Sequence, residues 1–534
     1  MNNTDDVQIN HIAPMKSSST IIAILFLFYG VLIAGCSHYH RNSTHPEISG
    51  SDIEKGASLA AKYCQGCHAL PDPSVLDSKH WEKGVLPYMG PRLGIFNFGF
   101  QHYPSSKNDQ YLSPGFYPSQ PLLSADDWQH LMDYYIATSP DTLAKQERQF
   151  NIKDELPLFK PMIPELKYDN PATCFLQIDT TNPQHSLLLG DAFRKTIIRL
   201  DGKLQIADSL KVSGPVVAMD FHKQWMTACD IGILNPNNGK FGKAINILTS
   251  ADGKMKVDPM PLFDSLARPV QVTAVDLNQD GLTDWLVCEF GNLTGALSWM
   301  ENKGSGKYQR HVIRAYPGAI KAYVQDYNHD GLPDFWVLFA QGEEGIFLFT
   351  NLGHGKFKEE EVLRFPPIYG SSYFELDDFN NDGYPDILYT CGDNADYSTV
   401  LKPYHGVYIF LNDGKNHFTQ KYFFPINGCY KAIAKDFDGD GDLDIATIAF
   451  FADYAHQPEE GFVYLENKGN FEFQPYTLPE AKSGHWLTMD AGDLDGDGKI
   501  DIILGNFSAG PSFIKSNIDW KKGPPFLFLK NMGR

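Results

Sequence analysis

Cysteine is scarce in this chain: there are eight in 534 residues, and only Cys64 and Cys67 stand close together. The nearest others are Cys36 and Cys174. No second Cys/His pair is near enough to complete a zinc site, and no βαβ pattern surrounds the pair as a redox dithiol requires. Positive charge is also in deficit. Lys and Arg number 45 against 65 Asp and Glu, for a net charge of −20 and a pI near 5.2. That balance excludes nucleic acid as a partner, because phosphate binding needs a basic surface. Long apolar runs are missing apart from residues 21–34, a stretch too short for a membrane span of about 20 residues. There is no Ser/His/Asp triad, Walker loop or dinucleotide fingerprint. The length exceeds what one ordinary core holds, so two or more domains are expected. An aromatic content of 13% with moderate Gly and Pro suits a large, turn-rich β protein and not a disordered one.

What the chain does carry begins with Cys64-Gln65-Gly66-Cys67-His68. Two thiols on one helical turn, followed directly by histidine, have the spacing that attaches a c-type haem through thioethers, with His68 as an axial iron ligand. Residues 50–140 read as a small helical domain around this turn. Asp52 caps a helix through Gly56, Leu59 and Ala60, and Ser124 to Asp127 opens a second with Trp128, Leu131, Met132, Tyr135 and Ile136 at helical spacing. Ser139-Pro140 ends it. The arrangement resembles class I cytochromes c, whose terminal helices pack together beside the haem. Met89, in the Pro/Gly-rich run Leu86-Pro-Tyr-Met-Gly-Pro91, is read as a loop methionine and the second axial ligand. Met132, His80 and His102 are the alternatives. Met89 follows His68 by only 21 residues, which is shorter than the usual class I spacing. Phe96 to Tyr117 either shields the haem edge or forms a surface loop with its own small core.

The apolar run ends in Ile33-Ala-Gly-Cys36, which resembles the lipobox of bacterial lipoproteins. The resemblance implies cleavage before Cys36 and lipidation of its thiol and amine; an uncleaved short anchor is the alternative. Asp5 and Asp6 make a poor signal n-region, and Met15-Lys16 a better start. The organisation expected is a signal peptide over 1–35, a tether over 36–49, the cytochrome-like domain over 50–140, a linker over 141–170 and a second domain over 171–534. The body of the protein is expected in the bacterial envelope, anchored in the outer membrane. The segment after Cys36 lacks an acidic run, which favours a periplasm-facing anchor over the cell surface.

Beyond the linker, which also reads as a first outer strand, a repeat near 50 residues dominates, the mark of a solenoid or propeller. Five loops place oxygen donors at alternate positions, then glycine, then a closing carboxylate. The donors are Asp276, Asn278, Asp280 and Asp284; Asp326, Asn328, Asp330 and Asp334; Asp378, Asn380, Asp382 and Asp386; Asp436, Asp438, Asp440 and Asp444; and Asp493, Asp495, Asp497 and Asp501. Such a donor set suits calcium, so about five structural Ca²⁺ are expected. A second marker, Asn-x-Gly, recurs at Asn302, Asn351, Asn412, Asn467 and Asn531 and reads as a hairpin. These residues resemble the FG-GAP/VCBS repeat family, calcium-bearing β-propellers related to the integrin α head. With two degenerate units, the blades begin near 172, 215, 270, 320, 372, 430 and 487, seven in all, with six or eight as alternatives. The fold class is therefore multidomain: a small all-α, class I-like cytochrome c domain, then an all-β propeller.

Three insertions after second strands, 392–405, 451–460 and 506–520, are expected to gather on one face, where their Asp, Asn, Tyr, His and Trp content suits a carbohydrate or protein ligand; ordinary exposed loops are the alternative. Cys174, Cys229, Cys288, Cys391 and Cys429 read as small buried hydrophobes. Three functions fit. The first is a tethered mono-haem electron-transfer protein with a redox partner. The others are a dehydrogenase with its substrate on the propeller, and a binding protein with an accessory haem.

Overall fold

The apolar run after each Asp-rich loop becomes a strand buried along its whole length: Asp284–Glu289, Asp334–Phe339, Asp386–Cys391, Asp444–Ala449 and Asp501–Asn506. Runs covered on both faces lose the in/out alternation of a half-exposed strand. The fourth strands do alternate, as Tyr308–Arg314 does, because one face meets solvent. In the computed structural model, residues 41–533 are described except 182, 223, 224, 251 and 396. Met15, the run over 21–34 and Cys36 lie outside the described residues. No helix among the described residues is long and apolar enough to cross a membrane.

Seven antiparallel sheets follow one another: 173–211, 216–266, 269–314, 319–364, 371–425, 429–476, and 486–531 completed by Phe159–Met162. This is a seven-bladed β-propeller. Six blades have four strands; in the second, Met255–Val257 and Phe263–Leu266 both pair with Gly242–Thr249. In all seven the first strand shifts register against the second near its start, at Cys174, Val217, Val270, Ile320, Ser372, Tyr430 and Leu487. The two blades without Asp-rich loops are thus built like the others. A separate apolar cluster lies between each neighbouring pair of blades, from Phe175 and Leu188 against Met226 and Ile245 round to Leu504 and Leu527 against Ile448 and Phe462. Each blade buries its faces only against its neighbours, so the ring is the folding unit.

Side chains of the first strands stitch every junction. Cys174 Sγ donates to Val216 O (3.2 Å), Asp220 accepts from Ala274 N (2.7 Å), and Gln271 bonds Ala322 N and O. The Tyr323 and Tyr373 hydroxyls meet at 3.3 Å, and Glu375 accepts from Ala434 N (3.0 Å). Lys431 donates to Met489 O (2.7 Å), and Asp490 accepts from Ile178 N (2.7 Å), which closes the ring.

Ahead of the propeller, Gly50–Tyr63 packs across Ala125–Thr138. The first helix is capped by Ser49, not Asp52: Ser49 Oγ accepts from Asp52 N (3.2 Å) and donates to the Asp52 carboxylate (2.6 Å). Asp52 therefore sits in the first turn, where an acid also favours the helix dipole. Gly56 marks the helix crossing, since a Cβ there would lie 2.0 Å from His130 O. Residues 141–158, read as linker, run strapped along the propeller. Gln146 donates to Lys402 O and His405 O (3.1 and 2.8 Å), Arg148 donates to Pro425 O (3.0 Å) and ion-pairs with buried Glu460, and Lys153 bonds Pro475 and Thr477. The strap then enters Phe159–Met162, the outer strand of the last blade and not of the first.

Candidate functional site

Two of the sequence markers form one hydrogen-bonded unit. In each Asp-rich loop the closing aspartate is fully buried and accepts from the backbone N–H of the Asn in Asn-x-Gly, at 2.7–2.9 Å for the pairs Asp284/Asn302, Asp334/Asn351, Asp386/Asn412, Asp444/Asn467 and Asp501/Asn531. The Asn side chain then accepts from the hairpin glycine and donates to the carbonyl just before the closing aspartate, as Asn302 does with Gly304 (2.9 Å) and Thr283 (3.0 Å). The first aspartate accepts from the loop glycine N–H, for example Asp276 from Gly281 (2.9 Å), whose φ of +81° only glycine adopts freely.

Carboxylates converge most closely in two loops, where Asp436, Asp438 and Asp440, and Asp493, Asp495 and Asp501, bring oxygens within 4.8 Å of one another. The second donor of the first three loops is an amide, so these carry one charge fewer than the last two: Asn278, Asn328 and Asn380 stand where Asp438 and Asp495 do. Burial, with neighbouring carboxylates adding to it, pushes the closing acids up, to about 6 for Asp386 and Asp501 and about 7 for Asp444. A bound cation reverses that cost, and each closing oxygen keeps a second lone pair. The donors therefore fit a hard divalent ion.

The second cluster is the CQGCH turn. Cys64 caps the first helix, its N–H donating to Ala60 O, and Cys67 N–H donates to Cys64 O (3.3 Å). Both thiols are free, Cys67 exposed and Cys64 half-buried, with burial pushing the Cys64 thiol up to about 11. His68 Nδ1 lies 2.8 Å from Ala69 O. A carbonyl only accepts, so Nδ1 carries the proton and Nε2 keeps its lone pair, the tautomer a metal-binding histidine needs. Burial first, and Arg364 after it, hold His68 below its ordinary pKa.

Met89 lies in a short helix, Leu86–Arg92, and not in a loop. Pro87 stands in its first turn, where a missing N–H costs nothing, and Pro91 falls near its end. The thioether borders the same apolar cluster as Cys64. Met132 lies inside that cluster with its sulfur 3.7 Å from the Tyr103 hydroxyl. His80 is held by Asp77 (2.8 Å), and His102 stands exposed on a two-residue hairpin beside Asn97. Phe96 to Tyr117 has its own small core (Phe96, Phe116 and Tyr117) and reaches the second blade through Asp109 to Asn238 (2.8 Å) and Tyr111 to Phe241.

The three propeller insertions spend much of their polar and aromatic surface on internal packing. Tyr88 stacks on Tyr397 at 4.2 Å, Tyr404 donates to Val75 O (3.1 Å), and Ile368 and Val400 join the helical core. Tyr454 and Trp520 enclose His485, and Glu460 takes Arg148. What stays open is a groove of about 450 Å³ between the fourth and fifth blades, walled by Arg364, Phe365, Tyr369, Tyr404, Tyr408 and Phe423. Tyr404 thus ties this groove to the segment just after CQGCH. The docking of the helices, the strap and the ring of inner-strand bonds had no signal in the sequence, because each partner lies scores or hundreds of residues away.

The FG-GAP-like repeat family matches residues 276–337 and 326–389, which hold the first three Asp-rich loops. The chain is 28% identical to the T-cell immunomodulatory protein homolog of Plasmodium falciparum (isolate 3D7), over 44% of this chain and 43% of that protein. It is 33% identical to integrin alpha-PS5 of Drosophila melanogaster, over 22% of this chain and 14% of that one. The chain therefore spans less than half the length of these relatives. Among solved structures, it is similar to Saccharomyces cerevisiae Sqt1 (TM-score 0.43, 9% identity, 70% of this chain and 100% of that one) and to BBS1N in complex with ARL6DN (0.43, 10%, 71% and 97%). These likenesses add nothing to the strand order described above.

Proposed function

We propose that this protein is a mono-haem electron-transfer protein of the bacterial envelope, tethered through Cys36, whose calcium-stabilised propeller binds a partner. A seven-bladed propeller with FG-GAP-like repeats is a binding scaffold; its loops, not its fold, select the ligand. The haem reading rests on one observation above all: two free cysteines on one turn, followed by a histidine whose Nδ1 faces a carbonyl and leaves Nε2 available. Cys64 and Cys67 would hold haem c, and His68 and Met89 would ligate its iron. The group would bring a one-electron couple that no side chain here provides.

The chain's own contribution is to bury Cys64, fix the His68 tautomer and hold the haem-binding segment against the propeller rim through Tyr88, Tyr397 and Tyr404. The groove beside that segment favours a second reading, a dehydrogenase whose substrate lies against Arg364 and Tyr404. Reduction of the haem by a small molecule, lost in Tyr404→Ala, distinguishes it from transfer between proteins.

The deciding experiment is a haemochrome assay on protein exported in a host that matures c-type cytochromes. One covalent haem per chain is expected, with attachment impaired or abolished in Cys67→Ala. Exported protein carrying two titratable free thiols and no haem would end this reading.

A further inference from the structure

The five Asp-rich loops differ at one position outside the loop itself. The residue just before the Asn of each Asn-x-Gly lies on the third strand of the same blade. It is Glu301, Thr350, Leu411, Glu466 and Lys530 in chain order. Glu301 reaches within 3.1 Å of the Asn278 amide, so in that blade the position adds a carboxylate to the loop. In the last blade the same position supplies an ammonium. Lys530 Nζ ion-pairs with Asp495 and stands 3.3 Å from Asp497. His185, from the first blade, lies 4.0 Å from Asp493 in the same loop. Among the described residues, no lysine or arginine pairs with an aspartate of the other four loops in this way.

We infer that Lys530 takes the place of calcium in the seventh blade, so that this loop carries its own cation and only the other four loops bind the metal. The inference rests on the calcium reading of the loops and narrows it. Asp493, Asp495 and Asp501 have the donor geometry of a cation site, yet the ammonium already lies on two of the loop carboxylates. A divalent ion entering there meets a like charge a few ångströms away or must displace it into solvent. Sharing the loop with the ammonium weakens binding by about a hundredfold or more, and displacing it breaks the ion pairs it makes with Asp495 and Asp497.

The position of this blade gives the substitution a purpose. Lys530 lies in Phe526–Asn531, which pairs on its outer edge with Phe159–Met162, Lys160 facing Lys530 in register. This is where the strand that precedes the propeller meets the strand that ends it, so the seam depends on the loop beside it. A tethered ammonium cannot diffuse away. The loop at the seam therefore keeps its cation when free calcium falls.

Calcium stoichiometry tests this. Full-length protein stripped of metal is dialysed against calcium, and bound ion is counted by elemental analysis. Wild type is expected to bind four and Lys530→Gln five, and the gain of one ion is the decisive result. Equal counts in the two proteins overturn the inference while leaving the calcium reading intact; no bound calcium in either overturns both. Asp497→Asn in the wild-type background covers the case in which Lys530→Gln does not fold. Its count stays at the wild-type value if Lys530 fills the loop and falls by one if calcium does.

Discussion

His485 is fully buried, sandwiched between Phe450 (3.9 Å) and Trp520 (4.4 Å), with Nδ1 3.1 Å from Phe507 O and Nε2 2.7 Å from Phe450 O. A neutral ring donates to only one of those carbonyls, and a charged ring would satisfy both. Burial outweighs the two carbonyls and pushes the pKa down to about 4. The folded state thus binds fewer protons than the unfolded state between about pH 6.5 and 4, and stability rises with pH across that window. The neutral ring's contribution is complete above about pH 6.5 and declines as the pH falls toward 4, by up to about 3 kcal/mol. Denaturant titrations at pH 7.5 and 5 should show a larger loss for wild type than for His485→Gln; equal losses would refute this assignment. No sequence pattern marks His485, because its ring partners come from two other loops. The five propeller cysteines, by contrast, were readable as small buried hydrophobes: all five are free and buried, three of them near the ends of apolar strands.

At the scale of elements, the two long helices depend on Gly56. Any side chain there meets the backbone of the opposing helix, and such overpacking costs about 1–3 kcal/mol. Gly56→Val is expected to loosen the helical module, seen as a lower-temperature transition preceding propeller unfolding; a single unchanged transition would refute it. The strap over 141–158 depends on Arg148. Glu460 is fully buried and is held by Arg148 and by the Asn427 amide at 3.2 and 3.1 Å. Removing one partner of a buried pair leaves a charge uncompensated, at about 3–5 kcal/mol. Arg148→Ala should therefore open residues 141–158 to protease, whereas Arg148→Ala with Glu460→Gln should recover part of the loss. Cleavage kinetics identical to wild type would show that the strap is held elsewhere. The hairpins and loops were legible because their partners lie within some 30 residues: Asp284 meets Asn302 across 18. The strap was not, because Arg148 and Glu460 share no local pattern.

For the whole molecule, a metal bound in the Asp-rich loops would be coupled to the ring. Ligand bound only to the folded state stabilises it by about 2.7 kcal/mol per site at a hundredfold excess over Kd. Chelation is expected to lower the melting temperature of the propeller and calcium to restore it; a melting temperature indifferent to both would refute structural calcium. Because each apolar cluster spans two blades, loosening one blade exposes its neighbour, and the transition should stay cooperative round the ring. The helical module packs on the 392–405 insertion and reaches the second blade, so a partner that docks there meets helices and propeller together.

Sequence alone determined the repeat, where its blades start, the Asp-rich loops and the Asn-x-Gly hairpin marker, since all of these rest on local spacing and on backbone conformations that Asn, Asp and Gly adopt. It also singled out Cys64, Cys67 and His68 by adjacency. Tertiary structure decided where those residues stand. It folded Met89 into a helix, turned the linker into a strap and the outer strand of the last blade, and spent much of the insertions' surface on packing. It also laid Lys530 on the fifth loop. Each of these depends on contacts between residues remote in the chain, whose burial and charge are settled only when the ring closes.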